Sequence, residues 1–253
     1  NTMIVNYTPE GWEVLTQRAH GVLAAQLGFH WRVKDRPQRW VETLLAIAEH
    51  DDAEMELEGE ALLTPAGGPL NFDMKVFDPV HCTRLAQFTQ TKSRYIALLT
   101  SLHMDFLYKK DEEQIPEAKA FLKEQRALQE QWRKELGLSK EEALRIYDLM
   151  EWCDACSLLF CQRSLQPEKR KLEISTGPDK KMYSLVQVDE ETVTVEPWPF
   201  EEKSFTVQFE SRLIKQIQFA SDDDFRQQFL QAPVRETVWQ VVKQRVAAKK
   251  KKV

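Results

Sequence analysis

The sequence predicts an α+β protein in which an all-helical N-terminal bundle carries a C-terminal antiparallel β layer. Apolar residues follow a helical period up to residue 164 and a period of two from residue 165 onward. The chain has 253 residues, 42% of them hydrophobic, so it can bury a sizeable core. We therefore expect a helical metal-binding domain over 1–164 and an antiparallel β-rich region over 165–253 packed on it.

Five helices are predicted in the N-terminal part, after a short strand over residues 3–7. Thr8 and Pro9 suit the N-cap and first turn of a helix that extends to about residue 31. The last helix begins at Ser139, where "SKEE" has the pattern of a capping box, and extends to about residue 163. The other three helices are expected over 37–58, 78–109 and 116–136.

The C-terminal region has the alternation of strands that bury one face. Ser221 is a typical N-cap for one short helix over 221–231. In "VEPWPF" (195–200) two prolines and two aromatic residues predict a loop anchored against the helices, with a ligand-facing loop as the alternative. The strands are expected in "MYSLVQV", "TVTVE", "SFTVQFE", "RLIKQIQF" and "ETVWQVV".

Charge and composition exclude several classes of partner. The net charge is −5, so no overall electrostatic attraction to nucleic acid is expected. The basic run Lys249–Lys252 is interpreted as a solvated tail. The sequence shows neither a signal-peptide pattern nor an apolar stretch long enough for a bilayer, so a cytoplasmic location without membrane contact is expected. No pattern indicates the oligomeric state.

Four cysteines are present, three of them within nine residues of one predicted helix. The "CDAC" motif of Cys153 and Cys156 resembles a redox pair or half a zinc site. It lies in the middle of a helix, and no second CxxC occurs in the chain. We therefore interpret these residues as buried, unpaired packing residues.

Several histidines occupy apolar helix faces, where polar side chains are unusual. His20 shares its face with Leu23 and Leu27, and His103 shares its face with Leu99 and Phe106. Taken singly, each is most simply a core histidine bonded to a backbone carbonyl. Together they predict a shared site. The residues in question are His20, His81, His103 and, in "EHDD", His50 and Asp51.

Asp154 is the most unusual of these polar residues. Its helix face carries Tyr147, Met150 and Leu158, and no lysine or arginine lies nearby on that face. An unpaired buried carboxylate is costly, so Asp154 needs a cation. A metal ion held together with imidazoles would supply it. Mixed nitrogen and oxygen ligands favour iron, manganese or zinc over calcium and magnesium.

The order of these residues resembles the H…HD…H…H…D order of the HD superfamily of metal-dependent helical proteins. The resemblance implies a one- or two-metal site whose ligands are His20, His50, Asp51, His81, His103 and Asp154. In the two-metal arrangement Asp51 bridges the ions, His20, His50 and Asp154 complete the first, and His81 and His103 hold the second. Members with such sites include phosphodiesterases and di-iron oxygenases.

Nearly the whole chain also resembles an uncharacterised bacterial family, a domain of unknown function. The motifs that carry this resemblance are "LTQRAH" (15–20), "AIAEHDD" (46–52), "LLTSLH" (98–103), "CDACSLLFC" (153–161) and "PWPF" (197–200). It implies a shared fold and no particular reaction.

The function expected from the HD resemblance is a metal-dependent hydrolase of a phosphate ester or another small anion. The expected catalytic residues are Asp51, Arg84 beside His81, and Glu13, placed two turns before His20 on one helix face. The acidic run after the HD pair stands where many two-metal members carry a lysine, which argues against phosphate recognition there. The alternatives are a di-iron oxygenase on the same ligands and a metal- or ligand-binding regulatory protein without turnover.

Overall fold

A computed structural model of the chain describes residues 3–53, 57, 61–74 and 77–244. The end of the second predicted helix lies partly outside these residues, and the basic run Lys249–Lys252 lies entirely outside them. The helices are α1 Gln17–Phe29, α2 Trp40–Ala48, α3 Pro79–Lys92, α4 Arg94–Tyr108, α5 Pro116–Leu136, α6 Lys140–Cys161 and α7 Asp222–Gln231. The strands are β1 Ile4–Thr8, β2 Gly11–Leu15, β3 Lys171–Thr176, β4 Met182–Gln187, β5 Thr192–Glu196, β6 Ser204–Ile214 and β7 Val234–Val242.

All seven described strands form one sheet in the order β1-β2-β6-β7-β5-β4-β3. Neighbouring strands are antiparallel except β5 and β7, which are parallel. The sheet is therefore mixed, and the predicted purely antiparallel layer is wrong. Alternating hydrophobicity sets which face of a strand is buried but does not specify its neighbour. The chain returns through α7 before β7, and β7 then separates β6 from β5.

The predicted all-helical N-terminal bundle is also wrong, because the chain begins with a β-hairpin. Residues expected to start the first helix instead form the turn between β1 and β2, where Gly11 has φ +130°. Gly11 packs so closely on β6 that an added Cβ would lie 2.2 Å from the Ile214 carbonyl oxygen. β2 pairs with β6, so N-terminal strands and C-terminal strands share one sheet. The first helix is capped by Thr16 rather than Thr8.

Two other helices differ from their predicted extents. α2 ends at Ala48, ten residues before the predicted end. The single helix expected over 78–109 is two helices, because Ser93 has extended backbone with φ −163°. The Ser93 hydroxyl accepts from the Ile96 N–H and donates to a Glu42 carboxylate oxygen, so this residue caps α4 and ties it to α2.

Several local predictions are confirmed. The Ser139 hydroxyl and the Glu142 carboxylate form the reciprocal hydrogen bonds of a capping box at the start of α6. α5 spans the predicted residues, and Ser221 caps α7. The sequence reasoning missed β3, an edge strand that pairs only with β4.

The main core lies between the helices and the sheet. Its centre is aromatic: Trp31 and Trp152 pack edge to face at 4.9 Å between ring centroids, and both contact Tyr183 and Phe200. Phe200 belongs to the "PWPF" segment, which therefore packs as an anchor.

The four cysteines are buried and unpaired. A domain boundary at residue 164 stays a prediction, although this core draws on both sides of it. Among the described residues, no helix is long and apolar enough to cross a bilayer.

Candidate metal centre

Four segments of the helical layer bring the site together. α1 carries His20, α4 carries His103, and α6 carries Asp154. His50 and Asp51 follow the end of α2, in a turn rather than in the helix that the sequence predicted. Adjacent residues on a helix point about 100° apart. Leaving the helix lets both side chains face the same point.

Close packing of α1 on α2 sets the position of His20. Its neighbour Gly21 lies against the last residue of α2, and a Cβ at Gly21 would be 2.1 Å from the Ala48 carbonyl oxygen. Only glycine permits this approach. His20 and His50 thereby come together, with 3.3 Å between their Nε2 atoms.

Three ligand atoms have the spacing expected around a single ion. His20 Nε2 lies 2.9 Å from Asp154 Oδ1, and His50 Nε2 lies 3.4 Å from the same oxygen. Ligands about 2.1 Å from one ion are about 3.0 Å apart at right angles and about 3.4 Å apart at the tetrahedral angle. The triad His20, His50 and Asp154 therefore fits one transition-metal ion.

A second overlapping group contains His50, Asp51 and His103. Asp51 Oδ2 lies 3.4 Å from His50 Nε2, and Asp51 Oδ1 lies 3.8 Å from His103 Nε2. His103 Nε2 is 4.0 Å from Asp154 Oδ2, so it faces the same carboxylates from a greater distance. The two groups form one continuous cluster, which we call the metal centre: His20, His50, Asp51, His103 and Asp154.

The opposite ring nitrogens are held by other groups, so that each Nε2 faces the cluster. His50 Nδ1 donates to the Ile47 carbonyl at 2.8 Å. His20 Nδ1 donates at 2.7 Å to the Ser157 hydroxyl, whose own proton goes to the Asp154 carbonyl. His103 Nδ1 lies 3.3 Å from the Tyr147 hydroxyl. Such bonds fix ring orientation and are typical of histidines that ligate metals.

The charges of the cluster require a cation. Burial disfavours the charged form of Asp154, but His50 and His20 hold the pKa of its carboxyl well below its usual range. Burial likewise disfavours the His50 imidazolium, but Asp51 and Asp154 outweigh this effect and raise its pKa to about 10. Two carboxylates therefore stay ionised among buried imidazoles. A proton on His50 compensates one of these two charges, whereas a divalent ion compensates both.

Exposure within the cluster is greatest at Asp51. The three histidine side chains are 1–2% exposed, whereas Asp154 is 12% and Asp51 26% exposed. Asp51 is therefore the member of the cluster most accessible to solvent.

Comparison with known protein families identifies the family of this chain. The sequence profile of the family described as "Protein of unknown function (DUF3891)" matches residues 3–216. The chain belongs to the DUF3891 family. No curated protein and no solved structure matches it. The resemblance to the HD superfamily therefore stays a prediction, while the resemblance to a domain of unknown function is confirmed.

Three residues expected at the site of this DUF3891 protein are not in the cluster. His81 lies in the first turn of α3 and is absent from both groups that could hold a metal among the described residues. Arg84 is exposed and lines a shallow surface depression with Pro79 and Gln87, away from the centre. The shared helix face expected for Glu13 and His20 is wrong, because Glu13 lies on β2.

Glu13 instead lies within the sheet, where its buried carboxylate pairs with the more exposed Arg163. Its carboxylate accepts two hydrogen bonds from Arg163, at 2.5 and 2.7 Å, and further bonds from Asn6 and Ser211. Burial raises the pKa of Glu13, but these donors lower it below its ordinary value overall. This arrangement joins the N-terminal hairpin of the DUF3891 protein to the end of α6 and to β6.

Sequence reasoning missed the groups that support the ligands. Ser157 lies one turn after Asp154 on the same face of α6, so helical spacing offered a signal for it. Nothing in the sequence indicated Gly21, because the requirement for glycine arises from the approach of another helix. The cations beside the HD pair were also missed: Lys92 Nζ binds the Glu49 carboxylate, and Arg18 binds Asp52 at 2.9 Å.

Proposed function

We propose that this protein is a one-metal hydrolase that acts on a phosphate ester or another small anionic substrate. One observation carries the proposal: His20, His50 and Asp154 present ligand atoms 2.9–3.4 Å apart, with Asp51 beside them. This donor set suits zinc, manganese or iron. When bound, such an ion supplies Lewis-acid activation of water and of a substrate oxygen.

The cluster geometry supports one ion rather than two. His20, His50 and Asp154 would hold it. His103 Nε2 stands 3.8 and 4.0 Å from the nearest carboxylate oxygens, distances that suit ligands at wide angles around the same ion. The second ion of the predicted two-metal arrangement also relied on His81, which is not in the cluster.

The neighbourhood of the HD pair supports an anionic substrate. Glu49 and Asp52 flank the pair, and their negative charges argued against phosphate recognition at this corner. Each carboxylate is paired with a cation from another helix, Glu49 with Lys92 of α3 and Asp52 with Arg18 of α1. The acidic run therefore does not impose an uncompensated negative field at these two positions. This weakens the objection to a phosphohydrolase at Glu49 and Asp52.

Asp51 is the residue best placed to act on substrate or water. It is the most exposed member of the cluster, at 26%. Burial disfavours its charged form, but His50 and His103 lower its pKa overall, so the carboxylate accepts hydrogen bonds at neutral pH. In this position it orients an attacking water and excludes other approaches to the buried histidines.

The test measures metal content and turnover together. The purified protein should contain close to one equivalent of zinc, manganese or iron, and should hydrolyse bis(p-nitrophenyl) phosphate or p-nitrophenyl phosphate. Asp154→Asn should lose both properties. His30→Gln is the matched control, because His30 stacks on Phe205 outside the cluster.

Two results would overturn the proposal. Iron content with substrate-dependent consumption of dioxygen would replace the hydrolase with the oxygenase. Absence of metal after reconstitution, with thermal stability unaffected by chelators, would contradict a metal centre altogether.

A further inference from the structure

A second cavity of about 270 Å³ lies at the opposite ends of the helices that carry His20 and Asp154. The chain leaving α1 contributes Trp31, and the first half of α6 contributes Arg145. Arg145 and Asp154 are nine residues apart on α6, which corresponds to about 13 Å along the axis. No residue of the metal centre lines this cavity.

The lining is strongly basic, in a chain whose net charge is −5. Asp35 and Asp179 are its only acidic members. The floor is aromatic, since Trp31 and Tyr183 are each 1% exposed. Four cations against two carboxylates leave a net charge of +2 on the lining. The cations are Arg32, Lys34, Arg145 and Lys181.

Two of the cations are held in place by the acidic residues. Arg32 Nε lies 3.0 Å from Asp35 Oδ2, and Lys181 Nζ lies 3.0 Å from Asp179 Oδ2. Lys34 and Arg145 differ: within the described part of the chain, neither side chain forms an ion pair or a hydrogen bond. Their positive charges at the rim are therefore available to a ligand.

Buried donors at the cavity also lack acceptors. Trp31 Nε1 is buried without a hydrogen-bond partner, although Trp31 is 1% exposed. Arg32 Nε is buried as well, and its contact with Asp35 is not aligned as a hydrogen bond. A buried N–H without an acceptor is unfavourable, and native proteins contain few of them. An oxygen-rich ligand would satisfy such donors.

We propose that this cavity binds the phosphate group of a small phosphorylated molecule. A phosphate dianion matches the net charge of +2, whereas a carboxylate would compensate half of it. Phosphate also offers three acceptor oxygens to a guanidinium, an ammonium and an indole N–H. The volume is slightly below the usual range for ligand pockets, about 300–1,000 Å³, so the occupant is small. The aromatic floor leaves room for an apolar portion beside the phosphate.

Isothermal titration calorimetry with inorganic phosphate measures the affinity of this site and so tests the proposal. Arg145→Gln and Lys34→Gln should each weaken binding about tenfold or more, and the double variant further. Both residues are exposed, so the variants should fold. Lys123→Gln, an exposed lysine on α5, is the control and should bind as the wild type does. Trp31→Phe keeps an aromatic ring, although a smaller one, but removes the indole N–H, and should also weaken binding.

The metal centre is a competing location for phosphate, so Asp154→Asn is titrated in parallel. Phosphate binding that survives Asp154→Asn and is lost in Arg145→Gln supports the proposal. Binding that is lost in Asp154→Asn but unchanged in Arg145→Gln overturns it. Acetate bound as tightly as phosphate would also overturn the assignment to phosphate.

Discussion

His20 Nε2 lies 2.9 Å from Asp154 Oδ1, so α1 and α6 meet at a buried imidazole–carboxylate contact. Ser157 reinforces this contact by accepting from His20 Nδ1 and donating to the Asp154 carbonyl. Two residues far apart in sequence are thereby held as one rigid pair. The metal centre depends on this pair, and the first prediction concerns its support.

Ser157→Ala should weaken metal binding about 10- to 100-fold while leaving all ligands in place, because His20 loses the bond that orients its ring. Competition with a chromogenic chelator measures the affinity. Ser101→Ala is the control, since Ser101 is equally buried on α4 and bonds Gln129 at 3.0 Å. If Ser157→Ala and Ser101→Ala both reduced only the stability of the protein and bound metal with the same affinity, the role assigned to Ser157 would be wrong.

Metal stoichiometry should be one per chain. His103→Gln should retain one equivalent with reduced affinity, because His103 stands farther from the carboxylates than His20 does. His81→Gln should behave as the wild type. Elemental analysis of metal-loaded protein after gel filtration measures the number of metal ions per chain. Two equivalents in the wild type that fall to one in His103→Gln would instead support the two-metal arrangement.

Gly21→Ala should damage both the fold and the site, because the new methyl group would meet the Ala48 carbonyl 2.1 Å away. Separating α1 from α2 should cost about 3 kcal/mol or more in the free energy of unfolding, at the upper end of overpacking effects. Urea denaturation and metal content are the measurements.

Gly137→Ala is the control for this substitution. Gly137 has φ +68° but no atom within 4 Å of an added Cβ. It should cost only about 1 kcal/mol, with metal binding intact. Equal effects of the two substitutions would mean that the contact between α1 and α2 accommodates a methyl group at residue 21.

Glu13→Gln should destabilise the protein at neutral pH and much less in acid. The folded-state pKa of Glu13 is lowered, with burial opposed by Arg163 and Asn6. Its contribution is therefore present above the unfolded pKa of about 4.5 and is lost as pH falls through the lower folded value. Urea unfolding at pH 7 and pH 3.5 should show the difference between wild type and variant shrinking in acid. Glu10→Gln, in an exposed pair with Arg235, should change little at either pH.

Glu151→Gln should stabilise the protein above neutral pH. Burial, with the charges of Asp154 and Asp148, raises the pKa of Glu151 to about 7. The ionised form is thus disfavoured by folding, and its cost grows between pH 4.5 and pH 7. The free energy of unfolding of the variant should exceed that of the wild type by on the order of 1 to 3 kcal/mol at pH 8, with no difference at pH 4. Glu141→Gln, at an exposed position on α6, should show no such gain.

Local residue patterns were sufficient to predict which face of a helix is buried. Helical spacing placed His20, His103 and Asp154 on buried faces, and the structure brings them together with His50 and Asp51. Capping chemistry located Ser139 and Ser221, because a cap depends on residues three positions apart. Such features are local, so the pattern of neighbouring residues is sufficient to predict them.

Long-range packing sets which elements meet and how closely. The first residues of the predicted first helix form a hairpin instead, where Gly11 packs against β6. Ser93 divides a continuous helical pattern by capping α4 and bonding Glu42. His81 satisfied the same sequence pattern as the other histidines yet lies outside the cluster. Periodicity encodes the direction of a side chain relative to its own helix or strand. The distance to a ligand on another helix depends on packing between elements, which no local pattern contains.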